Sequence, residues 1–151
     1  MHDKPESGTV IYECTLDITG LTDFGVGLDL ALDGGSSPPE GIRIDVSVAG
    51  TSNGPVLKGQ VSAIDYLYVR PDGRITIHVH GVITTDDGAR LSLFADGVLS
   101  RRLNTPILDL RENVTLFTSA PKYTWVNGMQ VWGEGTVDLA NQKLFIKARV
   151  A

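Results

Sequence analysis

The chain has 151 residues, of which 42% are apolar and 21% are charged, and its formal net charge is −5. These values are typical of one globular domain that can bury a sizeable core. An acidic chain without a run of Lys or Arg repels phosphate backbones, so we expect no nucleic-acid partner. The sequence shows neither an apolar run of the roughly 18 residues that a membrane helix needs nor the apolar core of a signal peptide. We therefore expect a cytoplasmic protein with no membrane partner.

Short stretches in which apolar and polar residues alternate recur along the chain, and Gly and Pro turns separate them. No stretch of ten or more residues shows the 3.6-residue period of a helix. The alternation predicts strands over residues 10–17, 25–32, 42–49, 56–61, 65–69, 114–119, 122–126, 130–139 and 143–150. The segment 33–40 has no periodicity and is interpreted as a loop.

The clearest hairpin lies within residues 74–99, where two strands meet at Asp86-Asp87-Gly88, because Asp-Gly favours the tight turns that join antiparallel strands. Residues 100–111 follow as the least regular part, broken by Pro106. This is the only region whose pattern allows a short helix or a mobile lid.

Many short strands joined by tight turns imply a closed barrel or a sandwich. Consecutive hairpins favour an up-and-down barrel, and closure removes exposed edge strands. The predicted fold is therefore all-β, a single closed antiparallel up-and-down β-barrel of about 8 to 10 strands. Residues 1–8 are expected to be a disordered tail, and residues 9–151 a single β-barrel domain.

His78 and His80 share one face of their strand, since side chains repeat every two residues. Three interpretations remain open: two half-exposed side chains on the outer face, a pocket-lining acid–base pair, or a metal site. A metal would need a third ligand from Asp or Glu, and we predict none. The opposite face carries an apolar stripe of Ile75, Ile77 and Val79 that also favours burial. The sequence does not decide which face points inward; a stripe on the outside would predict a homodimer or a higher homo-oligomer.

Other polar residues stand in otherwise apolar strands. Burial in a partly apolar barrel would raise the pKa of Asp65 and suit it to general acid–base work. The alternative is a turn or rim aspartate that makes hydrogen bonds to nearby backbone. Arg43 either pairs with a carboxylate at the surface or points inward and holds an anionic oxygen of a ligand.

Tyr123, Trp125 and Asn127 alternate along one predicted strand. Two aromatic rings and an amide on one strand face suit a flat organic ligand, which they would stack on and orient by hydrogen bonds. The alternatives are an ordinary aromatic core for Tyr123 and Trp125, and a turn position for Asn127.

Several short motifs recur in order along the chain: Gly41-Ile42-Arg43, Gly54 to Val61, Asp65-Tyr66, Thr85 to Ala89, and Tyr123 to Asn127. This series resembles the bacterial family called domain of unknown function 3237. The resemblance implies a lipocalin-like or allene-oxide-cyclase-like β-barrel with an internal pocket, and it implies no assigned reaction. The chain departs from the family at Tyr66, where a tryptophan is common, and at His78 and His80, where the family tends to carry an acidic and a basic residue.

The sequence lacks Gly-X-Ser-X-Gly and any phosphate-cradling glycine loop, so we expect no nicotinamide, flavin or nucleotide cofactor. The predicted function is a cofactor-free lyase, isomerase or cyclase acting on a small organic, partly aromatic or polyketide-like substrate. Its predicted catalytic residues are Asp65, His78, His80 and Tyr123, and its predicted substrate-binding residues are Arg43, Tyr66, Trp125 and Asn127.

Two other functions remain open. A non-catalytic barrel that binds a small hydrophobic ligand predicts a cavity lined almost wholly by carbon. A plugged barrel that acts through its outer surface predicts no cavity that admits more than a few waters. The enzyme predicts a cavity that brings together at least two of Asp65, His78, His80 and Tyr123.

Overall fold

The computed structural model describes residues 4–29 and 37–151, which form a closed antiparallel barrel. Eight strands in these residues each pair with their neighbours in sequence, and β1 closes the barrel by pairing with β8. The strands are β1 Val10–Asp23, β2 Ile42–Pro55, β3 Lys58–Val69, β4 Ile75–Thr85, β5 Arg90–Arg101, β6 Ile107–Phe117, β7 Val131–Asp138 and β8 Lys143–Val150. A 3-10 helix, Pro121–Gly128, connects β6 to β7. The prediction of a closed up-and-down barrel is confirmed.

The β4–β5 hairpin forms where the sequence predicts it. The Thr85 N–H donates to the Ala89 carbonyl at 2.8 Å, and Gly88 takes a φ of 91°, which glycine adopts without strain. The long β1 and β2 strands also begin as predicted, at Val10 and Ile42, because apolar and polar residues alternate along most of each strand.

Three local predictions are wrong. Residues 25–29 leave the sheet, so the predicted strand over 25–32 is not formed there; its remainder, and residues 33–36 of the predicted loop, lie outside the described residues. The irregular region 100–111 shrinks to a turn, because β5 runs to Arg101 and β6 already begins at Ile107. The predicted strand 122–126 lies within the 3-10 helix instead.

Apolar side chains fill most of the barrel, and the 3-10 helix lies at one of its ends. Val126 of this helix is fully buried, and so is Leu57 in the β2–β3 connection. The N–H of Leu57 donates to the carbonyl of Ile11 at 2.9 Å, which ties that connection to the start of β1. These contacts close this end of the barrel against water.

Within the described residues, no helix combines the length and apolar character required to cross a membrane.

Candidate functional site

The predicted site residues fall in three separate places: inside the barrel, on its outer wall, and at its closed end. Asp65 points inward and is only 8% exposed. The next residue, Tyr66, therefore points outward, because successive side chains of a strand alternate between faces. The barrel wall separates groups that are neighbours in sequence.

Inside the barrel, Asp65 on β3 is joined by a second buried carboxyl, that of Glu112 on β6, which is also 8% exposed. Glu112 pairs with Gly97 on β5 and with Gly133 on β7. A Cβ at Gly133 would lie 2.7 Å from the Glu112 Cγ. The glycine therefore provides the space that the Glu112 side chain occupies.

Burial changes the acidity of both carboxyls. It raises the pKa of Asp65 from 3.8 to about 8, and the nearby charge of Glu112 adds to this effect, whereas a hydrogen bond from the backbone N–H of His78 lowers the pKa. Burial also raises the pKa of Glu112 from 4.5 to about 7. Since the two groups interact, their protons titrate as a pair near neutral pH.

The β3–β4 ladder opens beside Asp65. The register pairs Asp65 with Val79 and Tyr68 with Thr76, but it has no pairs at Tyr66 and Leu67. The His78 amide lies in this gap and bonds to the Asp65 carboxylate. A side-chain acceptor thus takes the place of a ladder carbonyl at this point.

A cavity of about 40 Å³ lies between the two carboxyls and is otherwise lined mainly by Val, Leu, Ile and Ala side chains. Two oxygens of residues that line the cavity, the Tyr12 hydroxyl and Asp65 Oδ1, have no hydrogen-bond partner among the described residues. This volume holds roughly two or three water molecules, as the plugged-barrel alternative predicts. Of the four predicted catalytic residues only Asp65 lines the cavity, so the predicted grouping of at least two of them is not formed. The polar atoms and the space therefore suit a small water cluster or a polar group of a ligand.

Tyr12 and Cys14 complete the titratable groups of the cavity. Burial raises the pKa of the Tyr12 hydroxyl well above its ordinary value of 10.0 and that of the Cys14 thiol to about 12. Both groups are therefore protonated at neutral pH. Cys14 is an inert thiol, since the thiolate is the nucleophile, and Tyr12 is a hydrogen-bond donor.

On the outer wall, His78 and His80 are exposed, and so is Arg43. Of the two interpretations of Arg43, the inward one is therefore wrong. Neither histidine lines the cavity, so the interpretation of a pocket-lining acid–base pair is wrong. The physical reason is the opposite face of β4, where Ile75 and Ile77 are 2% and 3% exposed. Burial of these apolar side chains outweighs any gain from enclosing the imidazoles. The apolar stripe lies inside the barrel, so it cannot form a dimer interface. The homo-oligomer remains a prediction, and the apolar stripe no longer supports it.

The outer residues nevertheless form one cluster. His78 and His80 lie with their Nε2 atoms 3.0 Å apart, and Nδ1 of His78 bonds to the Asp96 carboxylate. The ring of Tyr66 contacts His80 edge-on, with centroids 5.5 Å apart. Arg43 borders the same surface, in an open groove of about 490 Å³ that also contains Tyr66 and His78.

At the closed end, Tyr123, Trp125 and Asn127 lie on the 3-10 helix. They do not share a strand face, so the prediction that they bind a flat ligand from one strand is wrong. The Tyr123 hydroxyl donates to the Asp87 carboxylate at 3.0 Å. The Asn127 side chain bonds both the N–H and the carbonyl of Thr118, at 2.8 and 2.9 Å. Trp125 is half-buried and packs against the core. None of these three residues lines the interior cavity, and their contacts hold the connection between β6 and β7 in place.

The sequence analysis missed Glu112, although a signal for it was present. Inward positions of β6 alternate as Leu108, Leu110, Glu112, Val114 and Leu116. A lone carboxyl in such a row is the sign of a buried ionisable group. Pro106 makes residues 100–111 look irregular and so conceals that a strand begins at Ile107.

Comparison with known proteins gives a family and a fold. A family model described as "Protein of unknown function (DUF3237)" matches residues 23–149. No curated protein matches the chain.

Solved structures with the same fold include a β-barrel-like protein from Acinetobacter baumannii, with 19% identity, a TM-score of 0.76 and coverage of 99% of both chains. A protein of unknown function from Clostridium acetobutylicum has 19% identity and a TM-score of 0.77 over 94% of this chain and 97% of the other. An enzyme from Penicillium herquei has 18% identity and a TM-score of 0.63 over 100% of both chains. At these identities the similarity shows the fold alone.

Proposed function

The chain belongs to the family described as protein of unknown function DUF3237, and we propose that the barrel interior of this member is the acid–base site of a cofactor-independent enzyme. The substrate is a small organic molecule, partly aromatic or polyketide-like, and the reaction is a proton transfer of the kind that isomerases, lyases and cyclases perform. Asp65 and Glu112 are the proposed catalytic residues, and Tyr12 is a proposed hydrogen-bond donor to the substrate.

The observation that carries the proposal is the pair of carboxyls facing one cavity inside an apolar barrel. Transfer of a carboxylate from water into such an interior costs several kcal/mol, and a hydrocarbon side chain would fill the space without this cost. Buried ionisable groups with strongly changed pKa values are concentrated at functional sites. The glycine opposite Glu112 supports the same interpretation, since it leaves room for a side chain that packing alone does not require.

The pKa values suit both directions of proton transfer. With values of about 8 for Asp65 and about 7 for Glu112, the pair holds between one and two protons near pH 7. General acid–base catalysis is most efficient when the pKa of the catalytic group lies near the working pH. In the proposed step, the ionised carboxyl removes a proton from a carbon next to a carbonyl. The protonated carboxyl and the Tyr12 hydroxyl then donate hydrogen bonds to the enolate oxygen that develops.

The size of the cavity determines how a substrate enters. Pockets for small organic ligands usually have volumes of about 300–1,000 Å³, far above the 40 Å³ present here. Binding therefore requires apolar side chains of the lining, such as Leu93 and Leu144, to move aside. One protein of this fold, from Penicillium herquei, is described as an enzyme; this supports the compatibility of the fold with catalysis and does not identify a reaction here.

The proposal is tested by proton exchange, which needs no knowledge of the product. Small 1,3-dicarbonyl compounds and phenolic ketones are incubated with the protein in D₂O, and loss of the C–H signal is followed by NMR. We expect the wild type to accelerate exchange of at least one compound. Asp65→Asn and Glu112→Gln should each lower the rate by about 10²-fold or more, which is the usual contribution of a positioned acid or base. The control Asp86→Asn, in the β4–β5 turn, should leave the rate unchanged.

A second measurement examines the site without a substrate. Carboxyl ¹³C shifts followed against pH should show both carboxyls titrating near neutral pH and interacting with each other. Titration of both groups near their ordinary values of 3.8 and 4.5 would contradict the proposal.

The second candidate function is a non-catalytic barrel that binds a small hydrophobic ligand. The observation in its favour is the aliphatic character of most of the cavity lining. A compound that binds inside the barrel, and whose exchange rate is the same with and without the protein, would establish this function instead.

A further inference from the structure

We propose that His78 and His80 on the outer wall bind a divalent transition-metal ion of the class of Ni²⁺ and Cu²⁺, with Asp96 as a positioning residue. This site is separate from the interior carboxyls and does not depend on the proposed function. The sequence analysis predicts no metal, because a His pair needs further ligands. The geometry of the pair leads to a different conclusion.

The two imidazoles already have the spacing of ligands on one ion. Their Nε2 atoms lie 3.0 Å apart. Metal–nitrogen bonds are about 2.0–2.1 Å long, so two nitrogens on one ion are roughly 2.9 Å apart at a right angle and roughly 3.3 Å apart at a tetrahedral angle. The observed spacing therefore matches neighbouring positions of a square-planar or octahedral ion, which are the geometries of Cu²⁺ and Ni²⁺.

Asp96 orients the first ligand. It pairs with His78 across the β4–β5 ladder, and its carboxylate accepts the hydrogen bond from Nδ1 of His78. With its proton on Nδ1, His78 presents the lone pair of Nε2 outward. A carboxylate behind a ligating histidine is the usual arrangement at metal sites, where it fixes the tautomer and strengthens the ligand.

Aromatic contacts restrain the second ligand. The ring of His80 lies between Phe94 and Tyr66, with centroid distances of 4.7 and 5.5 Å, and both contacts are edge-on. Without a metal, the Nε2–H of His80 donates to Nε2 of His78. When the ion binds, His80 carries its proton on Nδ1 instead, and both Nε2 lone pairs face the ion. Because the rings are held in place beforehand, little side-chain freedom is lost on binding.

The remaining positions of the ion belong to solvent. The described residues contain no group of three or more His, Cys, Asp or Glu side chains that would enclose a metal. Water therefore completes the coordination, and the exposed surface around the imidazoles leaves room for it. An open site of this kind favours Ni²⁺ and Cu²⁺ over a closed tetrahedral Zn²⁺ site.

The test is a calorimetric titration of Ni²⁺ into the full chain without an affinity tag. We expect one ion per chain. His78→Ala and His80→Ala should abolish this binding, and Asp96→Asn should weaken it by about tenfold or more, as loss of a carboxylate behind a ligand usually does. The matched control is His2→Ala, which removes the third histidine of the chain and should leave the affinity unchanged. Unchanged binding by both strand variants, or loss of binding in His2→Ala, would overturn the proposal.

A measurement on the wild type does not depend on the folding of any variant. Paramagnetic Ni²⁺ broadens the NMR signals of the nearest protons. The ring protons of His78 and His80 should broaden first, at the lowest amount of added metal. First broadening at His2, or at a carboxylate cluster elsewhere, would assign the ion to another place and contradict the inference.

Discussion

The inner and outer faces of β3 and β4 carry opposite chemistry, although their residues alternate along the same two strands. Inside, Asp65 is buried, and burial raises the pKa of its carboxyl to about 8. Outside, His78 and His80 are exposed to solvent. A hydrogen bond joins their Nε2 atoms, and the Asp96 carboxylate bonds to Nδ1 of His78. The alternation of side chains along a strand determines which residues share a face of the sheet. Burial then determines the pKa of those residues, and so the chemistry open to them.

The largest expected effect is the dependence of stability on pH, which tests the inner face. The pKa of Asp65 is higher in the folded state, about 8, than its ordinary value of 3.8. Between these pH values the folded protein binds more protons than the unfolded chain, so the free energy of unfolding falls as pH rises. The fall should amount to several kcal/mol, since each pKa unit corresponds to about 1.4 kcal/mol.

Asp65→Asn should remove much of this fall. The variant should match the wild type near pH 4–5 and exceed its stability near pH 8, as measured by urea unfolding at a series of pH values. A wild-type stability that is flat or rises over this range would mean that the carboxyl is not buried as described.

The second prediction compares packing inside and outside. Leu57 is fully buried at the closed end, whereas Leu103, in the β5–β6 turn, is 89% exposed. Leu57→Ala should lower the free energy of unfolding by about 2–5 kcal/mol, because it leaves a cavity in the core. Leu103→Ala should change it by less than about 0.5 kcal/mol. Thermal unfolding of the two variants measures the contrast, and equal effects would contradict the closed end described here.

The smallest expected effect concerns the space beside Glu112. An added Cβ at Gly133 would lie 2.7 Å from the Glu112 Cγ, so the glutamate side chain must shift in Gly133→Ala. We expect a loss of about 1–3 kcal/mol, the usual cost of overpacking. Gly128→Ala is the matched control, since nothing lies within 4 Å of an added Cβ there. If the two variants unfold alike in a chemical denaturant, Glu112 does not occupy the position described.

Much of the fold could be predicted from the sequence because each strand needs only local alternation, and Asp86-Asp87-Gly88 marks its hairpin directly. The 3-10 helix could not be predicted, because Tyr123 and Trp125 have the spacing of residues on one strand face. Their real neighbours, such as Asp87, are distant in sequence. Alternation also shows that His78 and His80 share a face without showing which one. That choice depends on the competing apolar stripe and on the closure of the whole sheet.

The candidate site was predictable in part for the same reason. Asp65 stands in an apolar row and could be identified as a buried carboxyl. Glu112 stands in a similar apolar row on β6, but this row begins in a segment that Pro106 makes look irregular. Its proximity to Asp65 arises only when β3 and β6 face each other across a closed barrel, and no local pattern contains this information.

The gap in the β3–β4 ladder makes the ionisation of Asp65 observable at a backbone amide. The amide of His78 bonds to the Asp65 carboxylate within a sheet where most amides bond to carbonyls. Its hydrogen-exchange rate and its ¹⁵N shift therefore follow the proton on that carboxyl. A single backbone resonance, on the residue whose imidazole faces solvent, reports the ionisation of a group sealed within the protein.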